Sequence, residues 1–335
     1  MEALDRRGRP LRDLRISVTD RCNLRCTYCM PREHFGPDHA FLPKADILSF
    51  EHIADVVGAC KELGLKKIRI TGGEPLLRRD LDVLVRLLRD VHPEADLALT
   101  TNGVLLERHA ERLLEAGLDR VTVSMDALST PVYSAMGDVD HGPEATLQGI
   151  EKARAVGLRV KVNCVVRAGV NEGELIPLVE HFGPLGVPVR FIEFMDVGAT
   201  NQWSLDEVIT SKKVRSMLAA HFGEVTPLDA TAYGEVARRW RTPQGWEIGT
   251  IDSISAPFCG DCTRARLAAD GSVHTCLFST KGKPLMPLIK AGASRAEIQA
   301  AVRSIWTERN DAYSEERSEG THQPSERVEM SFIGG

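Results

Sequence analysis

The sequence predicts an α/β protein with a parallel sheet, because stretches of strand and helix periodicity alternate as far as about residue 195. Glycine also follows several of the helical stretches, where helices commonly end in a left-handed residue. The six βα units are two short of a closed barrel, and a doubly wound sheet is the competing architecture. A doubly wound sheet should carry a glycine-rich phosphate loop after its first strand, and this chain carries cysteines there.

The individual elements follow from the same periodicities. The predicted strands are residues 14–19, 67–71, 96–101, 120–126, 159–166 and 189–195. The predicted helices between them are residues 50–63, 79–91, 106–116, 143–156 and 172–182. The glycines expected to be left-handed are Gly64, Gly117, Gly157 and Gly183. After the alternation stops, we expect helices at 211–221 and 295–306 and short strands near 236–240 and 246–248.

One face of the predicted strands is polar and largely basic. In a barrel, alternate residues of each strand face the helices and the lumen. The polar set is Arg15, Ser17, Lys67, Arg69, Thr71, Thr122, Ser124, Asp126, Lys161 and Asn163. A closed barrel fills its lumen with branched apolar side chains, and a parallel sheet with one solvated face is uncommon. We therefore expect a wet cavity that receives an anion.

Three cysteines, Cys22, Cys26 and Cys29, lie within eight residues directly after the first predicted strand. A 4Fe–4S cluster normally takes four thiolates, so three would leave one iron free for a substrate or cofactor. Zinc is the alternative, although a structural zinc site has four closed ligands. A disulfide framework is not expected, because the N-terminus does not resemble a secretory signal and the cysteines are few for 335 residues.

Further motifs follow the next three strands: TGGEP at 71–75, TTNG at 100–103 and SMD at 124–126. Two adjacent glycines let the backbone come close to a ligand. All three motifs lie at the carboxyl ends of strands, where barrel active sites form.

A second cysteine triplet lies in the C-terminal part, at Cys259, Cys262 and Cys276. The Asp-Gly pair at 270–271 predicts a hairpin that returns Cys276 to the other two cysteines. His274 shares a strand phase with Cys276, so zinc with His274 as fourth ligand is an alternative to an iron–sulfur cluster.

The composition and the net charge exclude some classes of function. Hydrophobic residues make up 43% of the chain and charged residues 27%, as in ordinary globular proteins. The net charge of −5 argues against a general nucleic-acid binder. Because no apolar run approaches the ~20 residues that a membrane span needs, we expect a cytoplasmic protein without membrane contact. Cys60 and Cys164 lie on apolar faces and are expected to be inert core residues.

The first triplet, with Tyr28 before its last cysteine, resembles the radical S-adenosylmethionine (SAM) superfamily, whose members bind SAM at the free iron. Together with the TGGEP and TTNG turns, the second triplet, the RAR sequence at 264–266 and the terminal Gly-Gly, the resemblance covers nearly the whole chain. Within that superfamily it points to the GTP 3′,8-cyclase family of molybdenum cofactor biosynthesis. This resemblance implies an incomplete (β/α)6 TIM-like barrel over 1–195 and an α+β extension over 196–335 that closes its open side.

The resemblance also implies roles for residues. One 4Fe–4S cluster would bind Cys22, Cys26 and Cys29, and a second would bind Cys259, Cys262 and Cys276. The SAM contacts would be Tyr28, Gly73, Ser124 and Met195. The GTP contacts would be Arg15, Arg69, Thr100, Lys161, Arg264, Ala265 and Arg266. The catalytic residues would be Arg264, Arg266, Gly334 and Gly335. Lys67 and Arg190 are further candidates for GTP contacts, for which a solvated charge is the alternative.

The implied reaction begins when reductive cleavage of SAM yields a 5′-deoxyadenosyl radical. That radical removes a hydrogen atom from ribose C3′ of GTP, and the C3′ radical attacks C8 of guanine. An electron and a proton then complete (8S)-3′,8-cyclo-7,8-dihydroguanosine 5′-triphosphate. The implied partners are a reduced flavodoxin or ferredoxin-type electron donor, cyclic pyranopterin monophosphate synthase as the next enzyme, and a second copy of the chain in a homodimer.

Two alternatives remain. One is a radical SAM enzyme that modifies peptides, although such enzymes usually have more C-terminal cysteines and a peptide-docking domain. The other is a non-enzymatic iron–sulfur or zinc protein, which gives no reason for a basic lumen or a GGEP turn.

Overall fold

The computed structural model describes residues 2–316 and 327–334, and strands and helices alternate through its first part. The strands are β1 (Asp13–Ser17), β2 (Lys67–Thr71), β3 (Asp96–Thr101), β4 (Arg120–Ser124), β5 (Arg159–Val166) and β6 (Val189–Glu193). The helices are α1 (Phe50–Lys61), α2 (Leu81–Val91), α3 (Leu106–Glu115), α4 (Thr130–Gly137), α5 (Glu144–Ala155) and α6 (Leu175–Phe182). Of these helices, α4 is absent from the sequence prediction.

The C-terminal part mixes short strands with helices. Its strands are β7 (Thr226–Leu228), β8 (Arg238–Arg241), β9 (Glu247–Ile251), β10 (Arg264–Leu267), β11 (Ser272–His274) and β12 (Lys283–Pro284). Its helices are α7 (Ser211–Phe222), α8 (Met286–Lys290), α9 (Arg295–Thr307), α10 (Tyr313–Glu316) and α11 (Met330–Ile333). Within the described residues, no helix combines the length and the apolar character needed to cross a bilayer.

All twelve strands form one sheet, in the order β12-β11-β10-β1-β2-β3-β4-β5-β6-β9-β8-β7. The first six strands are parallel neighbours, and the C-terminal part adds β10 parallel to β1 and β9 parallel to β6. In the part of the chain that the structure describes, β9 and β10 do not pair, so the barrel is not closed. The predicted incomplete barrel with a C-terminal extension is confirmed, and the extension lengthens the same sheet at both edges.

Glycines end three of the helices as predicted, and a fourth glycine has another role. The residues with the expected positive φ are Gly64, Gly117 and Gly157. The prediction for Gly183 is wrong, because its φ of −57° is helical. A Cβ at Gly183 would overlap the ring of Trp246, so this glycine is required by packing.

The apolar phase of the strands builds the core beneath the helices. Ile16, Ile70 and Val162 are fully buried there, and so are Cys60 and Cys164, in agreement with the prediction for the two isolated cysteines. The opposite phase of the same strands, which carries the polar side chains, is left to line the interior of the barrel.

The start of the chain holds the loop that carries Cys259 and Cys262. Asp5 accepts hydrogen bonds from Arg9 Nε at 2.6 Å and from Arg309 Nη1 at 3.4 Å, and all three side chains are at most 1% exposed. Arg9 Nη1 also donates to the carbonyl of Cys259 at 2.8 Å, and Arg309 Nη1 donates to that of Cys262 at 2.7 Å. One buried carboxylate thus fixes two arginines, and each arginine fixes one cysteine backbone.

Replacing Asp5 with Asn should lower the free energy of unfolding by about 3–5 kcal/mol, because it removes the buried carboxylate that two arginines share and leaves them only the more exposed Asp311. The matched control is Glu2→Gln, which breaks an exposed pair with Arg12 and should cost at most about 1 kcal/mol. Urea unfolding of both variants measures the difference. Equal shifts for the two would contradict the assigned role of Asp5.

Candidate active site

The loop of the first cysteine triplet packs backbone against backbone on the turn that follows β2. Gly73 N donates to the carbonyl of Thr19 at 2.7 Å, and Glu74 N donates to that of Arg21 at 2.7 Å. A Cβ on Gly72 would lie 2.6 Å from the Thr19 carbonyl oxygen, and one on Gly73 would overlap that of Arg21. The sequence predicted that the two glycines let the backbone approach a ligand. In the structure, both glycines instead let the backbone that leads into the cysteine loop come close.

Glu74, a site residue that the sequence prediction missed, ties the TGGEP and TTNG turns together. Its buried carboxylate accepts hydrogen bonds from Leu76 N at 2.9 Å, Thr101 Oγ1 at 2.7 Å and Asn102 N at 2.8 Å. Asn102 Nδ2 in turn donates to Asn23 Oδ1, inside the cysteine loop, at 2.8 Å. Burial raises the pKa of Glu74 to about 7 against the lowering effect of these donors. The motifs at three strand ends thus form one hydrogen-bonded unit.

Asp126 anchors the same loop from β4. Tyr28 Oη donates to Asp126 Oδ2 at 2.7 Å, and Val165 N donates to Oδ1 at 2.8 Å. Burial raises the pKa of Asp126 to about 6, although the hydrogen bond from Tyr28 opposes the rise. The sequence prediction placed Asp126 in the lumen but gave it no role at the site.

A cavity of about 980 Å³ runs along the inside of the barrel. All four residues expected to contact SAM line it beside the first triplet: Tyr28, Gly73, Ser124 and Met195. The thiols of that triplet also line the cavity: Cys22, Cys26 and Cys29. Burial raises the pKa of each of these thiols, that of Cys22 to about 11.

The second triplet lies at the opposite end of the same cavity. In the parallel pairing of β1 with β10, Asp13 is opposite Arg264, so Cys259 and Cys262 lie at the amino end of β1. Because β11 is antiparallel to β10, the chain returns to that end before it reaches Cys276. The predicted hairpin is confirmed, and all three residues line the cavity.

Cys262 differs electrostatically from Cys276. Burial would raise the pKa of Cys262, but Arg264 and Arg309 outweigh it and lower this pKa to about 6. Both guanidinium groups contact the Cys262 thiol: Sγ lies 3.4 Å from Arg264 Nη2 and 3.3 Å from Arg309 Nη2. The pKa of Cys276 is instead raised to about 11 by burial and by Asp311.

Both ring nitrogens of His274 are hydrogen-bonded to serine hydroxyls. One ring nitrogen lies 3.0 Å from Ser272 Oγ and the other 2.9 Å from Ser279 Oγ, and burial lowers the pKa of His274 to about 4. Among the described residues, no group of three His, Cys, Asp or Glu side chains is arranged to hold a single metal ion. Three cysteines that line one cavity match the thiolates of a 4Fe–4S cluster with one open iron, which takes one thiolate per iron.

The cavity wall between the two triplets is cationic. The arginines and lysines expected or considered for GTP all line it: Arg15, Lys67, Arg69, Lys161, Arg190, Arg264 and Arg266. Burial and mutual repulsion lower the pKa of Arg15, bring that of Arg266 to about 10, and bring that of Lys161 to about 8. The Nε atoms of Arg15, Arg69 and Arg266 have no hydrogen-bond partner in the described structure. Desolvated cations with unused donors fit a polyanionic ligand.

Four other predicted residues remain, of which the structure describes three. Thr100 lines the cavity and accepts from Arg69 Nη1 at 3.5 Å, whereas the side chain of Ala265 is packed in the apolar core. Gly334 is buried against Thr71, where a Cβ would overlap the threonine methyl group. Gly335 lies outside the described residues.

Two family models match this chain. The model described as "Radical SAM superfamily" matches residues 16–182, and "Molybdenum Cofactor Synthesis C" matches residues 187–315. Curated relatives named GTP 3′,8-cyclase, from Staphylococcus aureus strains JH9 and Newman, are each 44% identical over 335 residues. These alignments cover 99% of this chain and 98% of each relative.

Among solved structures, the fold resembles that of Streptococcus suis SuiB. The structure bound to S-adenosylmethionine gives a TM-score of 0.61 at 14% identity, over 89% of this chain and 69% of that chain. The structure bound to precursor peptide SuiA gives a TM-score of 0.62 at 13% identity, over 92% of this chain and 67% of that chain. At these identities the likeness concerns the fold alone.

Binding of a nucleoside triphosphate should weaken as pH rises from 7 to 9, by at most about tenfold per pH unit. Burial and repulsion by Arg69 lower the pKa of Lys67 to about 7, against the opposing pull of Asp13. The free protein therefore loses this ammonium above pH 7, whereas a bound polyanion favours keeping it. The terminal phosphate is already ionised in that range. Calorimetric titration with GTP measures the effect, and Lys67→Met should flatten the slope between pH 7 and 8. If the unmodified protein bound GTP equally tightly at pH 7 and pH 9, the role assigned to Lys67 would be wrong.

Proposed function

The chain belongs to the GTP 3′,8-cyclase family of radical SAM enzymes, and from that membership we propose how its residues divide the reaction. It converts GTP to 3′,8-cyclo-7,8-dihydroguanosine 5′-triphosphate, the first step of molybdenum cofactor biosynthesis, as a lyase-class enzyme that uses SAM and a 4Fe–4S cluster. Peptide modification is not favoured, because the relatives aligned over the whole chain are cyclases and the likeness to SuiB is one of fold.

Cys22, Cys26 and Cys29 would hold the SAM cluster, and Cys259, Cys262 and Cys276 would hold a second 4Fe–4S cluster. When bound, SAM and its cluster supply an organic radical able to remove a hydrogen atom from an unactivated C–H bond. The thiols at each end line a single cavity, so a substrate between them can reach both ends. Tyr28, with its hydroxyl donated to Asp126, would contact SAM from a fixed position, together with Gly73, Ser124 and Met195.

GTP would lie along the cavity with its guanine at the second triplet and its triphosphate on the cationic wall. Arg264 and Arg266 alternate with Ala265 on β10, so both arginines face the cavity next to that triplet. Arg69, Lys161 and the neighbouring cations would neutralise the phosphates, for which guanidinium forks suit the oxygens. Thr100, hydrogen-bonded to Arg69, would orient that guanidinium. GTP bound in this way would present its ribose to the SAM end of the cavity, where hydrogen abstraction from C3′ must occur.

The C-terminal tail would complete the wall at the ribose. Met330 and Ser331 line the cavity, and Gly334 is packed against Thr71 at the end of β2. Glycine occupies position 334 because a Cβ there would overlap Thr71. We assign the tail the tasks of excluding water and fixing the ribose.

The cellular context is part of the same proposal. All eight cysteines are free thiols, which suits a reducing compartment such as the cytoplasm. A reduced flavodoxin or ferredoxin-type protein would supply electrons, and cyclic pyranopterin monophosphate synthase would consume the product. The enzyme would act as a homodimer.

The observation that supports this proposal best is the placement of two cysteine triplets at opposite ends of one cation-lined cavity. Anaerobically reconstituted protein should cleave SAM and form cyclised product with GTP and not with guanosine. Cys26→Ser should lose roughly half of the iron and all SAM cleavage, because each triplet binds one cluster. Cys262→Ser should keep SAM cleavage and lose cyclisation. One cluster per chain, or stoichiometric zinc, would overturn the assignment of the second triplet.

Deleting Gly334 and Gly335 should leave iron content, SAM binding and unfolding unchanged, because neither residue has a side chain in the core. Hydrogen abstraction from C3′ should fail, so that any remaining SAM cleavage yields little cyclised product. The measurement is product formed per SAM cleaved, for the truncated and the full-length chain. An unchanged ratio and rate would remove the tail from the catalytic assignment.

A further inference from the structure

The last described residues form a helix that cannot hold its own position. α11 spans only Met330–Ile333, far below the length at which an isolated helix is stable in water. Ile333 is nevertheless fully buried, and Ser331 lines the cavity. Contacts outside this helix must therefore fix it against the barrel.

The first of these contacts is a buried ion pair just before the helix. Arg327 Nη1 donates to Asp196 Oδ2 at 2.9 Å and to the Asp196 carbonyl, and both side chains are 8% exposed. Tyr313 Oη donates to the same carboxylate oxygen at 2.9 Å. The Arg327 guanidinium also lies over the Tyr313 ring, 4.6 Å from its centroid. Breaking a buried ion pair by removing one member is strongly destabilising.

The second contact holds both carboxylate oxygens of Glu329. Oε1 accepts from Ala199 N at 2.9 Å, and Oε2 accepts from Thr200 Oγ1 at 3.0 Å. Gly198 has a φ of +76°, and a Cβ there would overlap the Glu329 carboxylate. The loop is thus shaped to receive this side chain.

We propose that Arg327 and Glu329 are positioning residues, which dock the C-terminal tail onto the loop formed by Asp196, Gly198, Ala199 and Thr200. We call these six residues the tail clasp. The loop follows Met195 directly, and Met195 lines the SAM end of the cavity. The clasp therefore joins the tail to the segment that would contact SAM. Its catalytic consequence rests on the proposed function, in which the docked tail fixes the ribose.

The test compares Arg327→Gln and Glu329→Gln with the unmodified holoenzyme. Each variant should raise the ratio of SAM cleaved to GTP cyclised by roughly tenfold, because each weakens a charged contact of the tail and so lowers the docked population. The contact of Arg327 is buried, whereas those of Glu329 are part-buried or exposed. Iron content and total SAM cleavage should stay within twofold. Arg327→Lys should restore part of the coupling, because an ammonium can still donate to Asp196. Arg295→Gln, which removes an exposed pair with Asp55, is the matched control and should change nothing.

Hydrogen exchange of the amides of residues 330–334 gives a second readout that does not depend on turnover. The unmodified chain should protect these amides, and both Gln variants should lose most of that protection while the strands keep theirs. Unchanged protection and an unchanged ratio in both variants would overturn the clasp, as would parallel loss of iron and SAM cleavage, which indicates a general structural role. If the unmodified chain makes no cyclised product, the proposed function fails, and the exchange measurement still decides whether the clasp docks the tail.

Discussion

The parallel pairing of β10 with β1 is the constraint on which the site depends. It places Asp13 opposite Arg264, so the second cysteine triplet lies at the amino end of the barrel while the first lies at the carboxyl end. It also aims Arg264 and Arg266 into the lumen and Ala265 into the core. An antiparallel β10 would bring Cys259 and Cys262 to the carboxyl end of β1, next to the first triplet, and one cavity could not then connect two separate centres.

The same geometry has an electrostatic cost that Asp13 offsets only in part. The interior of a closed barrel is packed with apolar side chains, whereas this one holds buried guanidinium groups whose Nε atoms lack partners in the described structure. Burial and repulsion by neighbouring arginines lower the pKa of both Arg15 and Arg69. A polyanionic substrate relieves this repulsion when it binds. The relief of repulsion between the buried cations therefore contributes to the free energy of binding.

Local pattern predicted most of the barrel and much of the site. Period-two alternation located Lys67–Thr71, Asp96–Thr101 and Arg159–Val166 at their observed bounds. For the first and third of these strands it also assigned the polar phase to the interior. The features that it missed depend on contacts between distant segments. Gly183 follows a helix like the other glycines, and only the Trp246 ring shows why it is a glycine. His274 lies on the same strand face as Cys276, which suggested a metal ligand. Its ring nitrogens are instead hydrogen-bonded to the hydroxyls of Ser272 and Ser279. Glu74 stands in a recognisable turn, and its burial could not be read from that turn.

The network around Asp5 has a consequence for how the enzyme matures. The carboxylate near the start of the chain meets Arg309, 304 residues later, and together with Arg9 they fix the backbone of Cys259 and Cys262. On the ribosome, the first triplet and the strands that support it emerge and can fold long before Arg309 has been synthesised. The loop of the second triplet becomes rigid only once Arg309 is available to contact Asp5 and the carbonyl of Cys262. The proposed cluster site at the SAM end should therefore form first, and the proposed site at the second triplet should form only after Arg309 has emerged.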